Sequence, residues 1–133
     1  MKVKIEDGIE LTMGGLTLNE YQKGAMSTCM ESSNNVAYML TGLTAEVGEV
    51  NDKIAKAIRK GKIKIEKNQL TFRNCDSDAM CDEIAKEISD CLWFVAGLAK
   101  VFGYTLEEIG QINLSKLASR KERGVIDGNG DNR

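Results

Sequence analysis

Apolar residues recur along most of the chain at three- and four-residue steps. Met39, Leu43, Val47, Val50, Ile54 and Ala57 form one such stripe. This spacing predicts an amphipathic helix that ends near Gly61. Ile84, Ile88, Cys91, Leu92, Val95, Leu98 and Phe102 form a second stripe. It predicts a helix over about residues 79–102, with Gly103 as the left-handed residue beyond its end. Leu106, Ile109, Ile112 and Leu117 make a third, on a helix expected to end near Gly124. It opens with Thr105-Leu106-Glu107-Glu108, a capping box in which threonine and glutamate satisfy each other's free backbone donors. Thr17-Leu18-Asn19-Glu20 has the same form and opens a helix expected to run from Leu18 to Met30. Ser32, Ser33, Asn34 and Asn35 then interrupt the pattern.

The period changes to two in two places. Val3 and Ile5 are followed by Ile9 and Leu11 around Gly8, and Ile63 and Ile65 by Leu70 and Phe72 around Lys67-Asn68. Both segments read as short hairpins. The expected architecture is therefore all-α. About four main helices form a bundle, with hairpin-like segments near residues 1–12 and 62–73. Nothing divides the chain, and residues 1–133 read as a single domain.

Composition narrows the chemistry. The 133 residues carry 18 basic and 20 acidic side chains, a net charge of −2, and contain neither histidine nor proline. The missing histidine excludes Ser-His and Cys-His nucleophile pairs and every His-ligated zinc, haem or iron centre. Any metal must be held by carboxylates, carbonyls or thiolates. The missing proline agrees with long uninterrupted helices. The four cysteines, at 29, 75, 81 and 91, make no Cys-x-x-Cys pair. Cys29 and Cys91 fall in apolar patterns and read as small core residues, whereas Cys75 and Cys81 lie near a loop. No apolar run reaches membrane length and the N-terminus has no signal-like apolar region. A cytoplasmic protein is expected, with no membrane partner. The near-neutral charge argues against a nucleic-acid surface.

Two acidic patterns stand out. Glu46-Val47-Gly48-Glu49-Val50 and Glu87-Ile88-Ser89-Asp90-Cys91 both run acid, apolar, small, acid, apolar. Acids three apart lie one above the other on a helix. Glu46 and Glu87 each sit about 70° from the centre of their own stripe. On helices packed antiparallel, four carboxylates would converge at the edge of the core, where unpaired they repel. A hard divalent cation with oxygen ligands answers that need. Mg2+ is the commonest and shares its shell readily with phosphate. The competing reading is a solvated acidic face. Gly48 carries a second ambiguity. A glycine inside a helix costs about 1 kcal/mol relative to alanine. It is either tolerated or makes room for a neighbouring backbone or ligand.

Lys53 continues the acid face four residues after Glu49 and is placed to meet a phosphate. Lys56, Arg59 and Lys60 suit the negative end of the helix dipole. Phe94 takes the corresponding step after Asp90. It would stack on a base, although a helical aromatic is more commonly core. Trp93 points away from the acid face, towards a subunit interface if there is one.

Taken together, these motifs resemble the MazG-like nucleoside triphosphate pyrophosphohydrolases of the all-α NTP pyrophosphatase superfamily. Residues 42–50 look like the family's first metal motif and residues 86–94 like its second. Residues 113–120 are similar to its C-terminal Asn/Lys/Arg segment, and the ending from Arg123 looks like that of small members. The resemblance implies magnesium ligands at Glu46, Glu49, Glu87 and Asp90, with Mn2+ as a substitute. It also implies triphosphate or nucleotide contacts at Lys53, Asn113, Lys116 and Arg120. The implied reaction splits a nucleoside triphosphate into monophosphate and pyrophosphate, in a homodimer or homotetramer. Two departures matter. Ala45 stands where many members have a further acid, which motivates the alternative of a non-catalytic metal- or nucleotide-binding module. Phe94 lacks the hydroxyl of a common tyrosine.

Overall fold

A computed structural model describes residues 2–5, 9–12 and 15–130, with residues 2–5 and 9–12 described in backbone only. Its elements are β1 (Lys2–Ile5), β2 (Ile9–Thr12), α1 (Leu18–Ser27), α2 (Val36–Arg59), β3 (Ile63–Glu66), β4 (Gln69–Phe72), α3 (Ser77–Val101) and α4 (Leu106–Glu122). A single 3-10 turn, Glu31–Ser33, links α1 to α2. The helices and hairpins of the described residues are those the apolar periodicity and the capping boxes predict. The turn around Gly8 and the last three residues lie outside the described residues.

Contacts group the chain into two compact units, 1–28 with 99–133, and 29–98. Helix α3 contributes to both. In the first unit, β1 and β2 pair antiparallel, Lys2 opposite Thr12 and Ile5 opposite Ile9. The start of α4 is held by α1. Gln22, a buried side chain of α1, accepts a 3.0 Å hydrogen bond from Leu106 N–H and donates to the Tyr104 carbonyl at 3.1 Å. Asn19 accepts from Glu107 N–H at 3.2 Å and donates to the Glu107 carboxylate at 2.7 Å. The Thr105 hydroxyl accepts from Glu108 N–H. The first three backbone donors of α4, which no helical carbonyl can reach, are thus all satisfied. Both predicted capping boxes are formed, at Thr17/Glu20 and Thr105/Glu108.

Helix α1 stops at Ser27, short of the expected Met30. The Ser27 and Thr28 hydroxyls donate to the Gly24 and Ala25 carbonyls, each at 2.6 Å. Such local bonds compete with continuation of the helix. Helix α3 starts two residues before the expected Ala79, because the Asp76 carboxylate accepts from the Asp78 and Ala79 N–H groups. It ends at Val101, one residue before the expected Phe102, and Gly103 beyond it takes the expected left-handed conformation with a φ of +80°.

In the second unit α2 and α3 run antiparallel. Met39 faces Gly97, Gly42 faces Phe94, and further along Lys53 faces Glu83. A Cβ on Gly42 would overlap the edge of the Phe94 ring, 2.0 Å from its nearest carbon, and one on Gly97 would overlap the Met39 thioether. Met39 and Ala96 are fully buried there. Strands β3 and β4 pair antiparallel through Lys67-Asn68, whose φ values of 51° and 63° give the primed turn that matches strand twist. Ile63 buries beside the end of α2, where Lys62 N–H donates to the Ala57 carbonyl at 2.9 Å. Among the described residues, no helix is long and apolar enough to cross a membrane.

Candidate functional site

The antiparallel register of α2 and α3 carries the two acidic patterns to one place. Glu46 on α2 and Glu87 and Asp90 on α3 each offer a carboxylate oxygen, and these oxygens lie within 4.8 Å of one another. Glu46 and Glu87 are half-buried and Asp90 is exposed. Glu49, one turn beyond Glu46, is exposed and outside this group of three. Its charge still reaches Glu46. Burial first, and then the charges of Asp90, Glu87 and Glu49, push the Glu46 carboxyl above its ordinary value. Acids crowded in this way favour whatever brings positive charge.

Lys53 brings one such charge. Its ammonium lies 3.2 Å from Glu87 Oε1 and 3.7 Å from Glu83 Oε2. The hydrogen bond to Glu87 is the largest of the causes that hold the Lys53 pKa above its ordinary value. A polar hollow of about 370 Å³ opens alongside. Glu49, Lys53, Lys56, Lys60, Lys62 and Glu87 are among its lining residues. Acids that can hold a cation therefore border a cluster of lysines suited to a polyphosphate.

Glu83 is the acid that the repeated motif does not mark. It lies four residues before Glu87, so it extends the same face of α3 by one turn. That spacing is the only signal for it in the sequence.

Phe94 is 8% exposed. Its ring packs against Tyr38 at 5.7 Å and edge-on to Trp93 at 4.9 Å between centroids, with Gly42 beneath it. It sits in the core of the second unit, and Trp93 is half-buried against it. Around Gly48 a Cβ would meet nothing within 4 Å, so no close approach within this chain requires that glycine. Gly42 and Gly97 are the glycines that close packing demands. The four cysteines are free; Cys81 is exposed and the others half-buried.

Asn113, Lys116 and Arg120 stand on α4, in the other unit. Their spacing puts them on one face of that helix. Asn113 and Lys116 are exposed, whereas Arg120 is buried. A larger hollow, of about 620 Å³, lies in this unit between α1 and the α3–α4 junction. Asn19, Gln22, Ser27 and Thr105 line it, and all are engaged in hydrogen bonds of the fold itself.

The description "MazG nucleotide pyrophosphohydrolase domain" belongs to a family model that matches residues 34–125. That span contains both acidic patterns and the whole Asn/Lys/Arg segment at residues 113–120. The "Gene 37 protein" of Mycobacterium phage L5 is 36% identical over 104 residues, which cover 77% of this chain and 81% of that protein. No solved structure gives a significant match. With the match covering well over half of its length and carrying both halves of the acidic site, the chain belongs to the MazG nucleotide pyrophosphohydrolase domain family.

Proposed function

We propose that this protein is a magnesium-dependent nucleoside triphosphate pyrophosphohydrolase. The observation that carries the reading is the convergence of Glu46, Glu87 and Asp90 beside a lysine-lined hollow, in a chain of this family. The donor set fits the cation. It is all oxygen, without histidine or thiolate, and its charges repel until one is neutralised. Glu46, Glu87 and Asp90 would hold the metal, with Glu49 as a further ligand or as the base. A bound divalent ion would supply Lewis acidity, lowering the pKa of a water and offsetting charge on the phosphates.

The remaining chemistry belongs to the side chains. One water is consumed and the bond between the α and β phosphates breaks. One new P–O bond forms, and the water's proton passes to a carboxylate. Of the two candidate bases, Glu46 belongs to the group of three and Glu49 does not. Glu49 is therefore the better placed to accept the proton. Lys53 and the lysines beside it would neutralise the polyphosphate. Asn113, Lys116 and Arg120 are proposed nucleotide contacts from α4. Phe94 serves the site from the core, as packing beneath Gly42 and Tyr38, so a stacking role would require it to leave that position.

Purified protein with Mg2+ and a panel of canonical and damaged nucleoside triphosphates should release pyrophosphate, not orthophosphate. Glu49→Gln should lower kcat by at least about a hundredfold, the scale of general-base catalysis, while Mn2+ affinity changes little. Glu46→Gln should weaken Mn2+ binding itself. A folded protein that releases no pyrophosphate from any nucleotide would defeat the proposal. Metal-dependent nucleotide binding without turnover would instead support the non-catalytic module suggested by Ala45.

A further inference from the structure

Glu87 belongs to two charge clusters at once. It is one of the three convergent carboxylates, and it is also the closer ion-pair partner of Lys53. A carboxylate that binds a small divalent ion holds it at about 2.1 Å. An ammonium 3.2 Å from the same carboxylate would then face a dication only a few ångströms away. The two cations therefore compete for Glu87 even if they use different oxygens.

Lys53 also has somewhere to go. Glu83, on the same face of α3 and away from the group of three, is already within 3.7 Å. The hollow alongside gives its flexible stem room to turn. Lys56 makes a useful contrast. It lines the same hollow but pairs with Asp52 on its own helix and touches none of the three carboxylates.

We propose that Lys53 is the resident cation of the acidic site: it neutralises Glu87 while no metal is bound, gives Glu87 up when a divalent ion enters, and then turns to the substrate's polyphosphate. The inference rests on the metal-binding reading above. It adds an order of events and a coupling between sites. Metal entry frees the lysine that the phosphates need, so each ligand favours the other.

Two measurements test it. The first is Mn2+ binding to the metal-free protein, read from the resonance signal of free Mn2+. Lys53→Met and Lys53→Gln should bind Mn2+ about tenfold more tightly than the unmodified protein, equivalent to about 1.4 kcal/mol. Lys53→Arg, which keeps the charge, should stay near the unmodified value. Lys56→Met, which removes an equal charge from the same hollow, should shift affinity by no more than about twofold, the small effect of a screened exposed charge. The second is acetylation of individual lysines by acetic anhydride, read by peptide mass spectrometry. Lys53 should label slowly without metal, faster with Mg2+, and slowly again with Mg2+ and pyrophosphate, while Lys56 changes little.

If Lys53→Met binds Mn2+ no better than Lys56→Met, or if Mg2+ leaves Lys53 labelling unchanged, the resident-cation role is overturned. Should Mn2+ binding still disappear in Glu46→Gln, the metal-binding reading survives that result. If neither the unmodified protein nor any variant binds Mn2+, both fall together.

Discussion

Single residues decide where the helices begin, and some of these residues are easier to read than others. The two capping boxes are legible because both partners lie within four residues of one another. Gln22 is not, since nothing near it in sequence announces that its amide will close the start of a helix more than eighty positions later. Glu83 falls between these cases. Its spacing from Glu87 is visible, but its pairing with Lys53 depends on the register of two helices. The capping glutamates also carry a pH prediction. Hydrogen bonds from the backbone of Thr17 and Thr105 are the largest causes that hold the Glu20 and Glu108 carboxyls below their ordinary value of 4.5. The folded state therefore prefers the ionised form. The resulting stability is present above the unfolded-state value and is lost as pH falls through the lowered folded-state value. A Glu20→Gln/Glu108→Gln double variant should melt below the unmodified protein at pH 7. The gap should narrow as pH drops below about 4.5 and close once both carboxyls are protonated. An equal gap at pH 7 and at pH 2.5 would show that ionisation of these caps adds nothing.

Among elements, the packing of α2 against α3 does most to build the site. The stripes predict both helices, and the phase of the acids against each stripe predicts that they meet if the helices are antiparallel. What sets the fine register is packing that a hydropathy pattern cannot express. Phe94 lies against Gly42, and Met39 against Gly97. A glycine's value in such a place is the absence of a side chain, which no periodicity registers. Gly48, inside the motif itself, attracts attention for the wrong reason, because the space around it is open. The three positions should respond differently to the same substitution. Gly42→Ala and Gly97→Ala should each lower stability by about 1–3 kcal/mol through overpacking. Gly48→Ala should raise it by about 1 kcal/mol by favouring the helix. Urea unfolding of the three variants checks the contrast. A destabilised Gly48→Ala would mean that a neighbour outside this chain fills the space.

On the scale of the whole molecule, the apolar stripes exceed what a single chain buries. Leu40 is 49% exposed, Val47 48% and Ile88 54%, and Leu92 is also exposed. All four lie on α2 and α3 of the same unit, and Val47 and Ile88 directly follow Glu46 and Glu87 in sequence. Covering what is still exposed of each such side chain would contribute about half of the 1.5–3 kcal/mol of full burial. Exposed apolar residues in this number on two neighbouring helices are characteristic of a surface that pairs. The periodicity predicted core for Val47 and Ile88 because a buried face and an interface leave the same pattern in a sequence. The homodimer or homotetramer that the resemblance implies would cover them with a second copy of the chain, next to the acids on which activity would depend. Sedimentation velocity at micromolar concentration should therefore give a species at least twice the 14.6 kDa of one chain. Val47→Asp/Ile88→Asp should shift it towards monomer with helical circular dichroism retained, and pyrophosphate release should fall along with the assembly. A chain that sediments as a monomer in unmodified form would leave these side chains without a partner copy, and the loss of activity on dissociation would then have no basis.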